Sequence, residues 1–551
     1  MANRNHTPEV KATMAATDQH SGSKFDSDIS RDSSNRIAGE LDRTRDSSRT
    51  GADRASPSKR GHTAAGSRGN APARVSKRVI IAIAVSSALA ACAVGPNYER
   101  PHTPVAKQFA GAEPSAYQTA ESIPVQFWKQ FDDATLDQLV SDALTANHDL
   151  RIALGHLVEA RGARRESLFN LAPTVTATAG HTTELVPSVQ AGFPFSASYY
   201  DAGFDATWEL DLFGRVRRGV EARNAELQGA QASLQDAQVS VIAEVARTYF
   251  ELRGQQTQLE VAQRNVINQT DTLKLTQARQ DAGRGTELDT SRAQSQLSTT
   301  LSTIAPLQAA IARSIHRLGV LTGRDPDALT DLLAPAKDLP ELPRITAISD
   351  PASLLRRRPD IRVAERQLAA STALVGVAIG DYFPKVTFNG NFTYAAASLG
   401  NLGSAPSRSY VIGPGISWAA FDLGRVQAQV AQAHARNDVA LATYEKTVLT
   451  ALEETENALV THARDQDSLM HVQAAAEASA TAARLARTRY EGGYVDFLEV
   501  LDAERTQLEA EDRLAQSRTE TATSLIAVYK ALGGGWEQAP LPRYTRAQEG
   551  H

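Results

Sequence analysis

The sequence predicts a mainly α protein with a transmembrane β-barrel portion, built as a tandem repeat of long coiled-coil helical hairpins that carries four strands. Three observations lead there. Arg215 to Asp281 is a 67-residue span without proline that reads as helix throughout, and a second such span runs from Arg425 to Glu491. The two copies register without a gap: Trp208, Gly214, Arg215, Arg279, Gly283 and Leu288 become Trp418, Gly424, Arg425, Arg489, Gly493 and Leu498, each 210 positions on. Ahead of each span the apolar period changes from helical to two. At about 1.5 Å per residue each long helix measures roughly 100 Å, several times the width of an ordinary domain.

Residues 1–78 are rich in Ser, Thr, Asp, Arg, Gly and Asn and hold scarcely an apolar cluster. They cannot offset their chain entropy and are expected to be disordered or a non-native extension. Lys77 and Arg78 lead into an apolar segment, 79–91, too short to span a bilayer and ending in Leu89-Ala90-Ala91-Cys92. The basic flank and small-residue exit are those of a signal peptide, and the exit resembles a lipobox. Cys92, the single cysteine, is then the first residue of the processed chain, carrying a diacylglycerol and an N-acyl chain; the plainer alternative is an ordinary buried cysteine. More than seventy residues before such a signal point to a start codon set too early, with a start in place of Val75 giving a signal of normal length. Residues 1–91 hold 15 of the 58 basic and 9 of the 63 acidic residues, so the remainder is more acidic than the formal charge of −5. That balance does not suggest a nucleic-acid partner.

Residues 92–126 contain scattered prolines and read as an extended tether. Repeat 1 follows at 127–325. It opens with Phe127-Trp128 and a helical pattern from Leu136 to about Leu171, stopped by Pro173. A hairpin at 174–212 comes next, in which Tyr200, Ala202, Phe204, Ala206, Trp208 and Leu210 alternate with Asp201, Gly203, Asp205, Thr207 and Glu209. Repeat 2 spans 347–533, with its hairpin at 385–420, where Val386, Phe388, Phe392 and Tyr394 alternate with Lys385, Thr387, Asn389, Asn391 and Thr393. Such strands have the length and alternation of transmembrane barrel strands. Of the 32 aromatic residues, 15 fall in Phe193 to Phe213 and Tyr382 to Phe421, and Trp208 and Trp418 sit where an interfacial girdle belongs.

The long helices show apolar residues spaced by seven (Leu227, Leu234, Val241, then Leu252, Leu259, Val266, Leu273) with one step of eleven, a mixture that leaves nearly straight helices. No window nears 18 apolar residues, so they are not membrane spans. Gly283 and Gly285 end the first and Gly492 and Gly493 the second, and shorter helices return over 288–321 and 498–532. One long helix beside two stacked short ones makes a two-layer wall, with the duplicate long helix as its neighbour. Residues 326–346 form the connector between repeats, and 534–551 a polar, loose tail. Twelve histidines without metal spacing and glycine clusters outside any phosphate-binding context argue against an enzyme and against a metal or other cofactor.

Val94-Gly95-Pro96-Asn97-Tyr98 after the lipobox, Leu318-Gly319-Val320-Leu321-Thr322-Gly323-Arg324, Arg357-Arg358-Pro359-Asp360-Ile361-Arg362-Val363-Ala364-Glu365, and Gly413-Pro414 leading to Phe421-Asp422-Leu423-Gly424-Arg425 together resemble the TolC-like outer membrane efflux lipoproteins, NodT-type members of tripartite efflux systems. The resemblance implies a homotrimer closing a 12-stranded barrel in outer membrane lipid above a helical tunnel. Its implied partners are a periplasmic adaptor (membrane fusion) protein and an inner-membrane proton-driven transporter of the RND or MFS type, with drugs or other small toxic compounds conducted passively.

Glu499 and Asp502, three apart on one helix face, read as a solvated face or a pore lining. The resemblance selects the pore, as an acidic periplasmic aperture. It also implies a gate link between Asp289 and Tyr490, while Val495 stands where an arginine link is expected. Gly283, Gly285, Gly492 and Gly493 become adaptor-docking turns. A type I protein-secretion duct and a periplasmic coiled-coil scaffold are the alternatives.

Overall fold

A computed structural model describes residues 93–110, 118–119, 126–186, 192–343, 347–348 and 350–536, all within the unit Val75–His551. The expectations for residues 1–78, the segment 79–91, Cys92 and the tail beyond Trp536 lie outside the described residues.

Repeat 1 opens not with one helix but with two, α1 (Ala134–Ala146) and α2 (His148–Phe169). Asn147 is the break. Its backbone is extended at ψ 134°, its side-chain oxygen accepts from the amides of Asp149 (2.8 Å) and Leu150 (3.1 Å), and its Nδ2 donates to the carbonyl of Leu321 at 2.9 Å. Asparagine gains more as a cap than inside a helix, which is why the continuous apolar pattern conceals the break.

Four strands follow the two entry segments: β1 (Thr174–Val186) and β2 (Phe195–Leu210), then β3 (Lys385–Ala396) and β4 (Arg408–Ser417). They form one antiparallel sheet in sequence order, leaving β1 and β4 as free edges. Register confirms the two faces. Phe204 pairs with Phe392 and Trp208 with Phe388, and Phe392 pairs in turn with Tyr410; on the opposite face Asp205 meets Asn391 and Thr207 meets Asn389. The apolar face is uncovered: Val175, Phe204, Tyr410, Ile412 and Ile416 are all exposed.

Helix α3 (Arg215–Asp281) begins after Gly214, at φ 81°, and its first amides are held by the Asp211 carboxylate, which accepts from Val216 (3.1 Å) and Arg217 (2.9 Å). Its hairpin partner is α4 (Glu287–Leu321). In repeat 2, α5 (Pro351–Arg357) and α6 (Pro359–Gly380) precede the strands, and α7 (Leu423–Glu491) turns into α8 (Phe497–Ala531). Helix α3 packs against α2 and α4 on one side and α6 and α8 on the other, so each long helix does run beside stacked shorter ones. Along most of their length α6 and α8 pack on both α3 and α7, and the two long helices meet directly near the turns. Among the described residues no helix is long and apolar enough to cross a membrane.

The main core sits halfway along α3. There Ile242, Val245, Tyr249 and Phe250 meet Phe127, Phe131, Leu136 of α1, Leu318 of α4 and Leu525 of α8. Each such side chain contributes about 1.5–3 kcal/mol by leaving water. The connector is part of this core: it holds a helical turn at Thr330–Leu333, and Leu329 and Leu333 are buried. Ala347–Ile348 pairs in parallel with Gln118–Thr119, tying the start of repeat 2 to the tether. Residues 93–110 are fastened along the helices. Val94 donates to the Phe213 carbonyl at 3.0 Å, and buried Arg218 donates to the Val94 and Gly95 carbonyls and to Asn97. Gly95, at φ 91°, lies so close to Gly376 that a Cβ there would come within 2.4 Å of its Cα. At the other end the first tail residues pack as well, Gly535 against Ile242 and Trp128, and Trp536 under the Arg362 guanidinium at 5.6 Å.

Candidate functional site at the hairpin turns

Both turns are built alike. Gly283 (φ 68°) and Gly493 (φ 76°) adopt the left-handed conformation, and paired backbone bonds close each helix: Arg284 to Arg279 O (2.8 Å) and Gly283 to Gln280 O (2.9 Å) in the first, Tyr494 to Arg489 O (2.9 Å) and Gly493 to Tyr490 O (3.0 Å) in the second. A side chain at either glycine would meet open space, so the outer surface of both turns is uncovered. Gly285 lies close under the Gln280 backbone, and Gly492 faces the Tyr494 ring.

Asp289 and Tyr490 are not joined in this chain. The Asp289 carboxylate is committed to its own helix: it accepts from the Thr286 amide (3.2 Å) and hydroxyl (2.7 Å), while the Asp289 amide bonds back to Thr286, closing a capping box on α4. Tyr490 is buried with Leu273, Ala293, Leu297, Phe497 and Val500. What holds it is Arg279, whose guanidinium lies 4.1 Å from the ring centroid and donates to the Tyr490 carbonyl at 2.8 Å.

A second contact fastens the hairpins about one to four turns away from the tips. Arg487 of α7 donates to Glu504 of α8 (3.0 Å) and, across to α3, to the Thr272 hydroxyl (2.6 Å) and the Asn268 carbonyl (2.7 Å). The Thr272 hydroxyl also donates to Glu504 at 2.8 Å. Glu504 is only 7% exposed; burial pushes its pKa above the usual carboxylate range, against the pull of Thr272 and Arg487. Sequence reasoning missed both contacts. The signal for Glu504 was present, since it falls on the buried stripe of Phe497 and Val500, where an acid demands a partner. The duplicate positions carry Gln277 and Gln294, so this charged contact belongs to repeat 2 alone.

Glu499 and Asp502 lie exposed on the first turns of α8. Asp502 is paired within the helix to Arg505 at 2.9 Å, a cation beside the two acids that the carboxylate spacing alone did not reveal. At the far end of the hairpins, Trp208 and Trp418 do the same job in each repeat: the Trp208 indole donates to Leu171 O at 3.0 Å and that of Trp418 to Tyr382 O at 2.9 Å, fixing the strand bases to the entry helices. Among the described residues no group of His, Cys, Asp or Glu could hold a metal ion.

Helical hairpins of roughly 100 Å ending in uncovered turns, joined to a sheet with an uncovered apolar face, are the parts of a duct inserted in a membrane. Residues 139–324 and 351–534, the two repeats, match the outer membrane efflux protein family, and the chain belongs to it. It is 32% identical over 473 residues to outer membrane protein OprJ of Pseudomonas aeruginosa, a match covering 83% of this chain and 96% of that one. It is 30% identical over 468 residues to the toluene efflux pump outer membrane protein TtgC of Pseudomonas putida, again covering 83% and 96%. Among solved structures the outer-membrane channel OprN is similar at 44% identity and a TM-score of 0.76, over 81% of this chain and 100% of that one. The chain is thus an outer membrane efflux component, a transport protein and not an enzyme.

Proposed function

We propose that three copies of this chain assemble into the outer membrane duct of a tripartite efflux pump. The observation that carries this reading is the open sheet: four strands with an apolar outer face and two unpaired edges cannot close alone, since eight strands are the observed minimum for a barrel. Pairing β4 of one copy with β1 of the next, three times over, gives 12 strands, and the family resemblance selects three. Helix α7 is suited to the same assembly, because Val439, Leu449, Val460 and Met470 lie exposed along it.

In this reading the turns at Gly283, Gly285, Gly492 and Gly493 face a periplasmic adaptor, which links the duct to a proton-driven transporter of the RND or MFS type. Glu499 and Asp502 line the aperture, with Arg505 reducing its acidity. Trp208 and Trp418 mark the membrane boundary, and acyl chains on Cys92 anchor the tether in outer membrane lipid. The name of one relative, a toluene efflux pump component, favours small toxic compounds, solvents among them, as cargo. The gate link is reassigned: Asp289 and Tyr490 do not pair within the chain, and Arg279 and Arg487 take over the fastening.

The test is the mass of the detergent-purified protein by native mass spectrometry, together with tolerance to toluene in a host lacking its own outer membrane channel. Three copies and tolerance restored only with adaptor and transporter present are expected. A monomer extracted without detergent contradicts the duct and favours a scaffold. Metabolic labelling with palmitate, lost in Cys92→Ser, tests the anchor.

A further inference from the structure

Between α3, α7 and α8, around the Arg487 contact, lies a cavity of about 390 Å³ lined by buried Asn265, Gln269, Ala483 and Glu504 and by exposed Arg484 and Glu491. Gln269 is 3% exposed, yet neither its amide nitrogen nor its amide oxygen has a hydrogen-bond partner among the described residues. A buried amide left with both ends unmade is costly and calls for an explanation. It shares the cavity with Arg487 and Glu504, and stands one turn along α3 from Thr272, the residue that now holds them.

The surroundings indicate where movement is allowed. Glu511 is bonded to Arg264 (3.0 Å) and to Asn265 (3.3 Å), and Asp512 to Gln258 (3.0 Å), so α8 is fastened to α3 above the cavity. Below it, among the described residues, the Arg487 group and Arg279, bonded to the Tyr490 and Glu491 carbonyls, hold the second hairpin to α3 by polar bonds. We infer that Gln269 is the second seat of the Arg487–Glu504 pair: when the lower part of α7 and α8 swings about the Glu511 and Asp512 contacts, the pair exchanges Thr272 for the Gln269 amide. An amide can do this because it offers a donor to Glu504 and an acceptor to Arg487 at once. The exchange gives the aperture two discrete states, each with the buried charges satisfied, in place of an opening that leaves them bare. Gln269 is therefore a positioning residue for the open state, empty in the state described. This rests on the duct reading above and goes beyond it.

Single-channel recording in planar bilayers tests it, on wild type, Gln269→Leu and Gln269→Glu, each also combined with Arg279→Ala to raise the frequency of openings. Gln269→Leu removes the second seat and is expected to lower the ratio of open to closed time by about tenfold, the worth of one hydrogen bond to a charged group. It should also raise the unfolding temperature, because it removes an unpaired amide from the described state. Gln269→Glu offers Arg487 a charged seat and is expected to raise the ratio. Wild-type conduction with both variants unchanged, or shifted in the same direction, overturns the inference while leaving the duct standing. A wild-type protein that does not conduct overturns both.

Discussion

Arg279 reaches from the last turn of α3 to the last turn of α7, stacking 4.1 Å from the centroid of the Tyr490 ring and donating to the Tyr490 carbonyl at 2.8 Å. The two residues are 211 positions apart. A cation over an aromatic face is worth about 0.5–2 kcal/mol and a charged hydrogen bond about 1.5–3 kcal/mol, partly offset by exposure at the turn. Arg279→Ala is therefore expected to cost about 2 kcal/mol of local stability. That corresponds to roughly 30-fold more frequent opening of the second hairpin's tip, read as faster tryptic cleavage at Arg487 and Arg489. Arg279→Lys should fall between, because lysine keeps the charge and loses the planar stack. Cleavage at the wild-type rate in Arg279→Ala would show that the apolar cluster around Tyr490 holds the tip unaided.

Asp289 acts on its own helix, which separates it from Arg279 in experiment. Asp289→Ala and Thr286→Ala each remove half of the same capping box and should each lower stability by about 1 kcal/mol in thermal unfolding. Neither should alter tip cleavage in the second hairpin. Faster cleavage there in Asp289→Ala alone would restore the direct link that the resemblance implied.

Arg358 carries the junction where α6 begins and α8 ends. At 8% exposure it bonds Asp360 (3.0 and 2.7 Å), Glu454 (2.7 Å) and the Ala531 carbonyl (3.0 Å). Asp360 and Glu454 keep access to water, so removing the guanidinium costs chiefly its buried bond to the Ala531 carbonyl and its packing, about 2–3 kcal/mol. Arg358→Ala should lower the unfolding temperature more than any turn substitution considered above, whereas exposed Arg425→Ala, whose Asp422 partner is also solvated, should scarcely move it.

His462 ties stability to pH. It is buried in α7, with its ring nitrogens 3.1 Å from Ser524 Oγ and 3.0 Å from Gln466 Nε2, and burial holds its pKa below the usual histidine value, partly opposed by Asp465. Above the ordinary value of about 6.5 neither the folded nor the unfolded state carries the proton, and the contribution is present in full. As pH falls below that value the unfolded state takes up a proton that the folded state refuses, so stability is lost. The unfolding temperature should drop between about pH 7 and about pH 5, and His462→Gln should drop less. Equal slopes for the two proteins would assign the acid sensitivity to carboxylates instead.

Local rules made most of the scaffold legible. Helix α3 occupies Arg215–Asp281 because nothing in that span breaks a helix and a glycine follows at each end of the turn. The strands show themselves by alternation, since one face meets apolar surroundings and the other water. Asn147 escaped because capping is a choice between two good local bonds, and flanking leucines continue the apolar pattern across it. The Arg487 contact escaped for a different reason: Thr272 and Arg487 are 215 residues apart, and only the packing of α7 and α8 against α3 brings them together. The resemblance implied a link between Asp289 and Tyr490, and the aspartate serves as a helix cap in this chain.

In the described state of the duct, Arg279 and Arg487 fasten neighbouring hairpins. Planar-bilayer recording on the purified protein and on the double variant Arg279→Ala, Arg487→Ala tests this. Small, infrequent wild-type openings are expected, with a conductance several-fold higher in the variant and the same number of copies by native mass spectrometry. A double variant that is intact and conducts as the wild type does would contradict it.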